Sequence, residues 1–333
     1  DEAVKNADNP NIRLFLVPKL TATTPQDNIS GNWTTCTSET MKSFSAVGYF
    51  FGKHLNEELK GVPIGLISSN WGGTPAEIWT PEEVIQNDAV LLESAKTRKE
   101  ETYGPNQPGR AFNAMIAPLV PFKIAGVLWY QGESNVGSNV YDKTLSALIT
   151  SWRKLWKYDF PFYLVQIAPY KYGEDHFCGA IIRDAQRKVL QEVPNTGMVL
   201  TSDISTIEDI HPKDKKTVGI RLANLALANT YKVNNALVNG PLYKGITIEK
   251  NKITVAFDFS EGLYFKDKKA NLFEIAGADN VFYEATATIK NNTVIVQSTQ
   301  VKVPVKVRYA WKNTDQSALF NKANLPASSF ITE

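Results

Sequence analysis

Residues 13–231 alternate short apolar runs with longer amphipathic segments, and this alternation limits the possible folds of the chain. The apolar runs are short enough to be strands buried on both faces of a sheet. The segments between them place apolar side chains on one helix face, as at Leu145, Leu148 and Trp152. The pattern predicts an α/β fold, with a parallel sheet covered by helices on both faces. We predict strands within residues 13–17, 62–67, 124–130, 162–167 and 198–201, and helices within residues 44–59, 140–156, 183–193 and 213–231.

The pattern changes near residue 239, where strands with period-two alternation and short turns replace the helices. Two hairpins are predicted, at residues 245–257 and 286–296. Residues 303–311 predict a further strand, and Pro304 near its start favours an edge position because proline cannot donate to a ladder.

These two patterns predict two domains. Residues 1–235 form the α/β domain, and residues 236–333 form a β-sandwich-like C-terminal module. The sequence between them contains no low-complexity linker, so we expect the two parts to pack together.

Composition excludes several classes of protein. A net charge of +2 gives no electrostatic basis for binding nucleic acid or an anionic membrane surface. No uninterrupted apolar segment is long enough to span a bilayer. Cys36 and Cys178 are too few for a disulfide framework or a metal site, and we expect two buried thiols. Because the sequence begins at Asp1 rather than at Met, we expect a mature form or a fragment.

Two predicted strands run directly into polar or flexible loops. Residues 124–130 are followed by Gln131-Gly-Glu-Ser-Asn135, and residues 64–67 lead to a loop with Gly72 and Gly73. Ligands of parallel sheets bind beyond the carboxyl ends of the strands. The glycines can present bare backbone amides, which an oxyanion hole requires. Ordinary turns after core strands are the alternative interpretation of both loops.

His211 is the best candidate for a general base among the three histidines. It lies between a predicted strand and a predicted helix that Pro212 can start, with Asp203, Glu208 and Asp209 nearby in the sequence. A general base needs an imidazole oriented by a carboxylate. The other histidines, His54 and His176, fit ordinary surface positions in a helix and a loop.

Three motifs then define a resemblance that runs through essentially the whole chain. The motifs are Trp71-Gly-Gly-Thr, Trp129-Tyr-Gln-Gly-Glu-Ser-Asn and Asp209-Ile-His-Pro. In this order and spacing they resemble the sialate O-acetylesterase family of SGNH-type hydrolases. The resemblance implies a three-layer α/β/α esterase domain that removes acetyl groups from sugars with a serine nucleophile, a histidine base and no metal or cofactor.

The resemblance also implies site residues. His211 matches the catalytic histidine, and Asp209 is our choice for its carboxylate partner, with Glu208 as the alternative. The oxyanion hole is assigned to Gly73 or Gly72.

The remaining implied roles concern the two loops after the strands. The side-chain donor of the oxyanion hole is assigned to Gln131, with Asn135 as the alternative. We expect Trp71, Glu133 and Asn135 to contact the substrate.

One departure from the family pattern concerns the nucleophile. Relatives carry it in a Gly-Gln-Ser-Asn-Met segment on the first strand, and residues 1–333 do not contain this segment. We expect that the parallel sheet lacks its first strand and that an upstream segment, or another chain, supplies the serine. Ser68 and Ser69 are alternative nucleophiles, although we expect them to cap a turn. Residues 1–333 alone are therefore expected to be inactive.

The predicted function is hydrolysis of O-acetyl groups on sialic acid or related sugars. Two alternatives stay open: an acetylxylan esterase, and a carbohydrate-binding protein without catalysis. Since glycan esterases commonly act outside the cytoplasm, we expect a secreted or periplasmic protein that acts in glycan degradation.

Overall fold

The computed structural model describes residues 2–99, 101–174, 176–233, 235–267 and 271–333. Its helices are α1 (Glu2–Lys5), α2 (Ala46–Glu58), α3 (Glu82–Gln86), α4 (Ala89–Lys96), α5 (Tyr141–Trp156), α6 (Cys178–Glu192) and α7 (Lys215–Asn229). Its strands are β1 (Asn9–Leu16), β2 (Thr34–Cys36), β3 (Ile64–Ser68), β4 (Val127–Trp129), β5 (Phe162–Val165), β6 (Thr196–Val199), β7 (Leu242–Glu249), β8 (Lys252–Asp258), β9 (Tyr264–Phe265), β10 (Phe273–Ala276), β11 (Phe282–Glu284), β12 (Thr286–Lys290), β13 (Thr293–Gln297), β14 (Lys306–Tyr309), β15 (Leu319–Phe320) and β16 (Phe330–Ile331).

The N-terminal part is a parallel sheet between two layers of helices. Strands β4, β5 and β6 are parallel, and β5 is buried along its whole length. Phe162 and Leu164 of β5 pack into the core shared with α5 and α6, whereas Tyr163 and Val165 pack into the core shared with α2 and α7. This alternation follows from the period of two in a strand. The predicted α/β class with helices on both faces is confirmed.

The parallel strands form two separate groups. Strand β3 pairs with β1, and β4 pairs with β5, but no ladder joins β3 to β4 within the described ranges. Both strands nevertheless lie between the same helical layers. Ile64 and Leu128 pack against the core beside α2 and α7, and Ile67 and Val127 pack against the core beside α5 and α6. The sheet layer therefore contains one free edge on β3 and another on β4.

The C-terminal part is built from antiparallel sheets. Two four-stranded sheets, in the orders β11-β10-β14-β16 and β12-β13-β8-β7, share one hydrophobic core. Both predicted hairpins are present. The turn between β12 and β13 has positive φ at Asn291 (50°) and Asn292 (57°), a conformation that asparagine tolerates better than most residues. The β-rich C-terminal region is confirmed, whereas the domain boundary at residue 235 stays a prediction.

Two local predictions were wrong. Strand β14 lies between β10 and β16 rather than at an edge. Pro304 precedes the strand, so its missing N–H group does not interrupt the ladder. Helix α7 begins at Lys215 rather than at Pro212, because the Asp214 side chain caps it by accepting from the Thr217 amide at 2.9 Å.

The remaining expectations from composition concern the cysteines and the membrane. Cys36 and Cys178 are both buried, as expected. In the part of the chain that the structure describes, no helix combines the length and the apolar character needed to cross a membrane.

Arg183 joins the two parts of the chain. This fully buried side chain extends from α6 and donates to the carbonyl oxygens of Ala310, Lys312 and Asn313 and to Ser329 Oγ, at 2.7–3.2 Å. Burial lowers the pKa of Arg183 to about 10. The guanidinium group is thus the polar centre of the contact between the α/β part and the β-rich part.

Replacing Arg183 with alanine should destabilise the protein strongly. The change leaves a cavity and several buried acceptors without donors, which we expect to lower the free energy of unfolding by about 3–5 kcal/mol. Urea unfolding measures the effect. Arg13→Ala, at an exposed position of β1, is the control and should change stability by less than about 0.5 kcal/mol. A loss below about 1 kcal/mol for Arg183→Ala would contradict the role given to this contact.

Candidate functional site

The loops that follow β3 and β4 are joined by the side chain of Asn135. Its Oδ1 atom accepts from the Ala76 amide and from Gln131 Nε2, both at 2.8 Å. Its Nδ2 atom donates to Glu77 Oε2 at 2.9 Å. Both Asn135 and Glu77 are fully buried. The Asn135 carboxamide therefore fixes the two loops in one arrangement at the carboxyl edge of the sheet.

Gln131 belongs to the same network. Its Nε2 atom also donates to the Thr74 carbonyl at 3.2 Å, and its Oε1 atom accepts from the Tyr141 hydroxyl at 2.9 Å. Both Nε2 hydrogens are thus used within the protein, and Gln131 would have to release one to bind an oxyanion. Asn135 has no exposed surface, so the structure does not support its predicted contact with substrate and gives it a bracing role instead. The role of Gln131 in the oxyanion hole stays a prediction.

Gly72 and Gly73 lie in an exposed turn after β3, and their role in an oxyanion hole stays a prediction. Both are exposed, and neither amide donates a hydrogen bond within the described ranges. Gly73 has φ of +77°, and a Cβ atom there would lie 2.6 Å from the Tyr103 ring. This position therefore favours glycine on two grounds, its conformation and its close neighbour. Free amides at an exposed turn can act as donors to an anionic oxygen.

Trp71 lies at the edge of the glycine turn. Its Nε1 atom donates to the Tyr103 carbonyl at 2.8 Å, and Lys19 Nζ lies 6.0 Å from the centre of its ring. The indole is half-buried, so part of its surface is open to a ligand. Its predicted contact with substrate is compatible with this position and stays a prediction.

The loop that carries His211 follows β6, and the side chain of His211 is exposed. Asp209 Oδ1 accepts from the backbone amide of His211 at 2.9 Å, so this carboxylate stabilises the turn. Asp203 is paired with Arg221 at 2.6 Å, and the exposed Glu208 lies 3.6 Å from Lys171 Nζ. None of these three carboxylates has a hydrogen bond to the imidazole in the described structure. The Glu133 carboxylate has no such hydrogen bond in the described structure either, so Asp209 as the carboxylate partner of His211 stays a prediction.

Glu133 lies in the loop after β4 and is half-buried. Burial raises the pKa of Glu133, while positive charge on His211 and Lys215 acts in the opposite direction. Lys215 Nζ lies 4.9 Å from the centre of the Tyr130 ring, and burial lowers the Lys215 pKa against the effect of Glu133 and Asp209. The loop after β4 thus supplies an acidic group whose charge interacts with groups that follow β6 in the chain.

Glu133 stands in the polar loop directly after an apolar strand, whereas sequence distance favoured Asp209 as the partner of His211. The assignment of Glu133 to substrate binding stays a prediction.

Other polar groups near the site belong to two serines and two tyrosines. Ser68 Oγ accepts from Asn70 Nδ2 at 2.6 Å, and Ser69 Oγ donates to the Met115 carbonyl at 3.2 Å. Both hydroxyls stabilise the turn after β3, as we expected.

Tyr130 and Tyr172, which follow β4 and β5, have buried hydroxyls without a partner among the described residues. In the same ranges, no cluster of His, Cys, Asp and Glu side chains is arranged to hold a metal ion.

Comparison with known proteins gives consistent results. The model of the family described as "carbohydrate esterase, sialic acid-specific acetylesterase" matches residues 26–228. The sialate O-acetylesterase of Homo sapiens is 33% identical over 338 residues, and the alignment covers 90% of this chain and 64% of the human protein. The Pongo abelii sialate O-acetylesterase is 32% identical over 337 residues, with the same coverage. This chain therefore spans about two thirds of the length of these relatives.

A solved structure resembles the whole chain. A carbohydrate acetylesterase from Xanthomonas citri superposes with a TM-score of 0.88 at 35% sequence identity. The match covers 100% of this chain and 75% of that chain.

The buried position of Glu133 predicts a pH-dependent effect of its replacement. Because the folded-state pKa of Glu133 is raised, the wild-type protein loses stability as pH rises through that value. Glu133→Gln does not titrate, so the stability of the variant relative to wild type should increase as pH rises above the ordinary pKa of glutamate, about 4.3. Urea unfolding at several pH values measures this difference. Glu249→Gln carries the same change at an exposed position of β7 and is the control. A relative stability that falls with rising pH would contradict the prediction.

Proposed function

This chain belongs to the carbohydrate esterase family of sialic acid-specific acetylesterases, and we propose that it hydrolyses O-acetyl esters on sialic acids or related sugars. The observation that carries the proposal is that Glu133 and His211 lie in loops that follow β4 and β6, two strands of the same parallel group. A histidine oriented by a buried carboxylate is the base of serine-type acyl transfer.

We propose the following sequence of steps. His211 accepts the proton of a serine hydroxyl as the serine oxygen attacks the acetyl carbonyl carbon. Glu133 stabilises the imidazolium ion that forms, while the amides of Gly72 and Gly73 donate to the negative oxygen. The tetrahedral intermediate then collapses, and His211 gives the proton to the departing sugar oxygen. A water molecule, activated by His211, releases acetate and restores the serine.

Hydrogen-bond donors to the oxyanion lower the activation barrier of ester hydrolysis. Loss of one such donor raises the barrier by about 2.7–4 kcal/mol in serine hydrolases. Two free amides on a glycine turn, held by the Asn135 network, therefore account for a large part of the catalysis in this proposal.

We further propose that the serine comes from a segment outside residues 1–333. The segment would add a parallel strand between the free edges of β3 and β4 and place its serine at their carboxyl ends. The split sheet supports this proposal, because free apolar strand edges in a covered sheet normally pair. The unpartnered hydroxyls of Tyr130 and Tyr172 also support it, since buried polar groups normally have partners.

Substrate and location are part of the same proposal. Acetylated xylan is the other candidate substrate, and a secreted or periplasmic location would give the enzyme access to glycans undergoing degradation. No described contact favours a purely binding function over hydrolysis.

The first test is replacement of His211 in the protein that includes the upstream segment. His211→Ala should leave folding intact, because the side chain is exposed, and should reduce kcat by at least about 10³-fold. Acetate release from O-acetylated sialic acids and from acetylated xylan measures activity and identifies the substrate. His176→Ala, at another exposed histidine, is the matched control and should retain activity. Unchanged turnover in His211→Ala would remove His211 from catalysis.

The second test compares residues 1–333 alone with the protein that includes the preceding residues. We expect the shorter chain to lack hydrolysis of an aryl acetate, because no described serine has the place of the nucleophile. The longer protein should hydrolyse the ester. Brisk hydrolysis by purified residues 1–333 would overturn the proposal of an external serine.

A further inference from the structure

We propose that residues 310–316 of the β-rich part position the loops that form one side of the site. We call these residues the clamp loop. The β-rich part would then be a component of the active site, through Asn313 and Gln316, rather than an accessory module. The catalytic consequence of this inference rests on the proposed function, whereas its structural part does not.

Asn313 holds the loop that follows β5. Its carbonyl oxygen accepts from the Tyr170 amide at 2.9 Å, and its own amide donates to the His176 carbonyl at 2.6 Å. Its side-chain Oδ1 atom accepts from the Gly179 amide at 2.6 Å, at the start of α6. Asn313 is buried, and its carbonyl is also bound by Arg183. The loop after β5 is thus bonded to the clamp loop at both of its ends.

This contact extends to Tyr172. The Tyr172 ring packs so closely on Gly179 that a Cβ atom there would lie 2.7 Å from the ring and 3.1 Å from Asn313 Oδ1. Burial raises the pKa of Tyr172, and the nearby charge of Glu133 acts in the same direction. The clamp loop therefore packs beside an aromatic group whose hydroxyl is buried and sensitive to the charge of Glu133.

Gln316 holds the loop that carries His211. Its Nε2 atom donates to the Ser205 carbonyl at 2.5 Å, six residues before the histidine. The amide of Lys171, in the loop after β5, donates to the Ile207 carbonyl at 3.3 Å. Among the described residues, these two groups are the donors outside residues 204–208 that bond to carbonyl oxygens of this segment. The loop that contains Lys171 is itself bonded to Asn313.

The ends of the same loop are fixed by other means. Asp203 pairs with Arg221 of α7 at 2.6 Å, and Asp214 caps α7. The α/β part therefore holds the two ends of residues 203–214, and Gln316 and Lys171 hold the residues between them. A general base displaced by about 1 Å can lose about 10²-fold in rate, so this restraint bears on catalysis.

Gln316→Glu in the complete protein tests the proposal. The change keeps the shape of the side chain and removes its N–H donors, and Gln316 is exposed enough that folding should be retained. We expect amide hydrogen exchange in residues 203–211 to become about fivefold faster, which corresponds to the loss of one hydrogen bond. We also expect kcat to fall by about fivefold to tenfold with little change in KM.

Two further variants complete the experiment. Gln300→Glu carries the same chemical change at an exposed position of the β-rich part, where the side chain has no bond in the described structure, and should change neither readout. Gln316→Lys retains an N–H donor and should restore slow exchange and kcat.

The outcomes separate this inference from the proposed function. Unchanged exchange in Gln316→Glu, or faster exchange with unchanged kcat, would overturn the positioning role. If the complete wild-type protein releases no acetate from any substrate, the proposed function fails. In that case faster exchange in Gln316→Glu would still support the clamp loop, and unchanged exchange would refute it.

Discussion

The buried carboxylate of Glu77 is the constraint on which the arrangement of the site depends. A charged group without exposed surface is stable only while it keeps its hydrogen bonds or an opposite charge. Asn135 supplies a donor at 2.9 Å, and Arg98 supplies a positive charge 3.9 Å away. Because Glu77 follows the glycine turn and Asn135 follows Glu133, the bond from Asn135 Nδ2 to Glu77 Oε2 sets the relative position of the two loops, while Glu77 Oε1 has no hydrogen-bond partner among the described residues.

Burial of Glu133 has a destabilising effect on the folded protein at neutral pH. Burial raises the pKa of its carboxyl group, so the folded protein is less stable at neutral pH than it would be with a neutral side chain there. Active sites commonly sacrifice stability in this way to obtain a reactive arrangement. The strong network around Glu77 and the Arg183 contact supply the stability that such a site requires.

Much of the fold follows from local patterns in the sequence. The core positions of β5 and the hairpin at Asn291 and Asn292 depend on side-chain periodicity and turn chemistry, which the sequence contains directly. The location of the site at the carboxyl edge also followed from strands that end in polar loops. Gly73 could be identified because its conformation excludes most other residues.

Other features depend on partners distant in the chain, and sequence spacing was misleading for them. Asp209 lies two residues from His211, yet its hydrogen bond is to the backbone amide of His211 and not to the imidazole. The strand near Pro304 became central because β16, from the end of the chain, pairs with it. The full occupation of Gln131 by internal bonds could not be inferred without coordinates.

The bonds from the β-rich part to the loops after β5 and β6 have an evolutionary consequence. Backbone-to-backbone bonds at Asn313 require a fixed chain path, and an inserted residue would shift every contact beyond it. Among the described residues, the turn after β13 (residues 298–303) forms no backbone hydrogen bonds with the α/β part. We therefore expect lineages of this family to vary in length at residues 298–303 and to keep residues 310–316 constant in length. A scan of single-residue insertions along the two segments would reveal the difference as loss of soluble protein or activity in one and tolerance in the other.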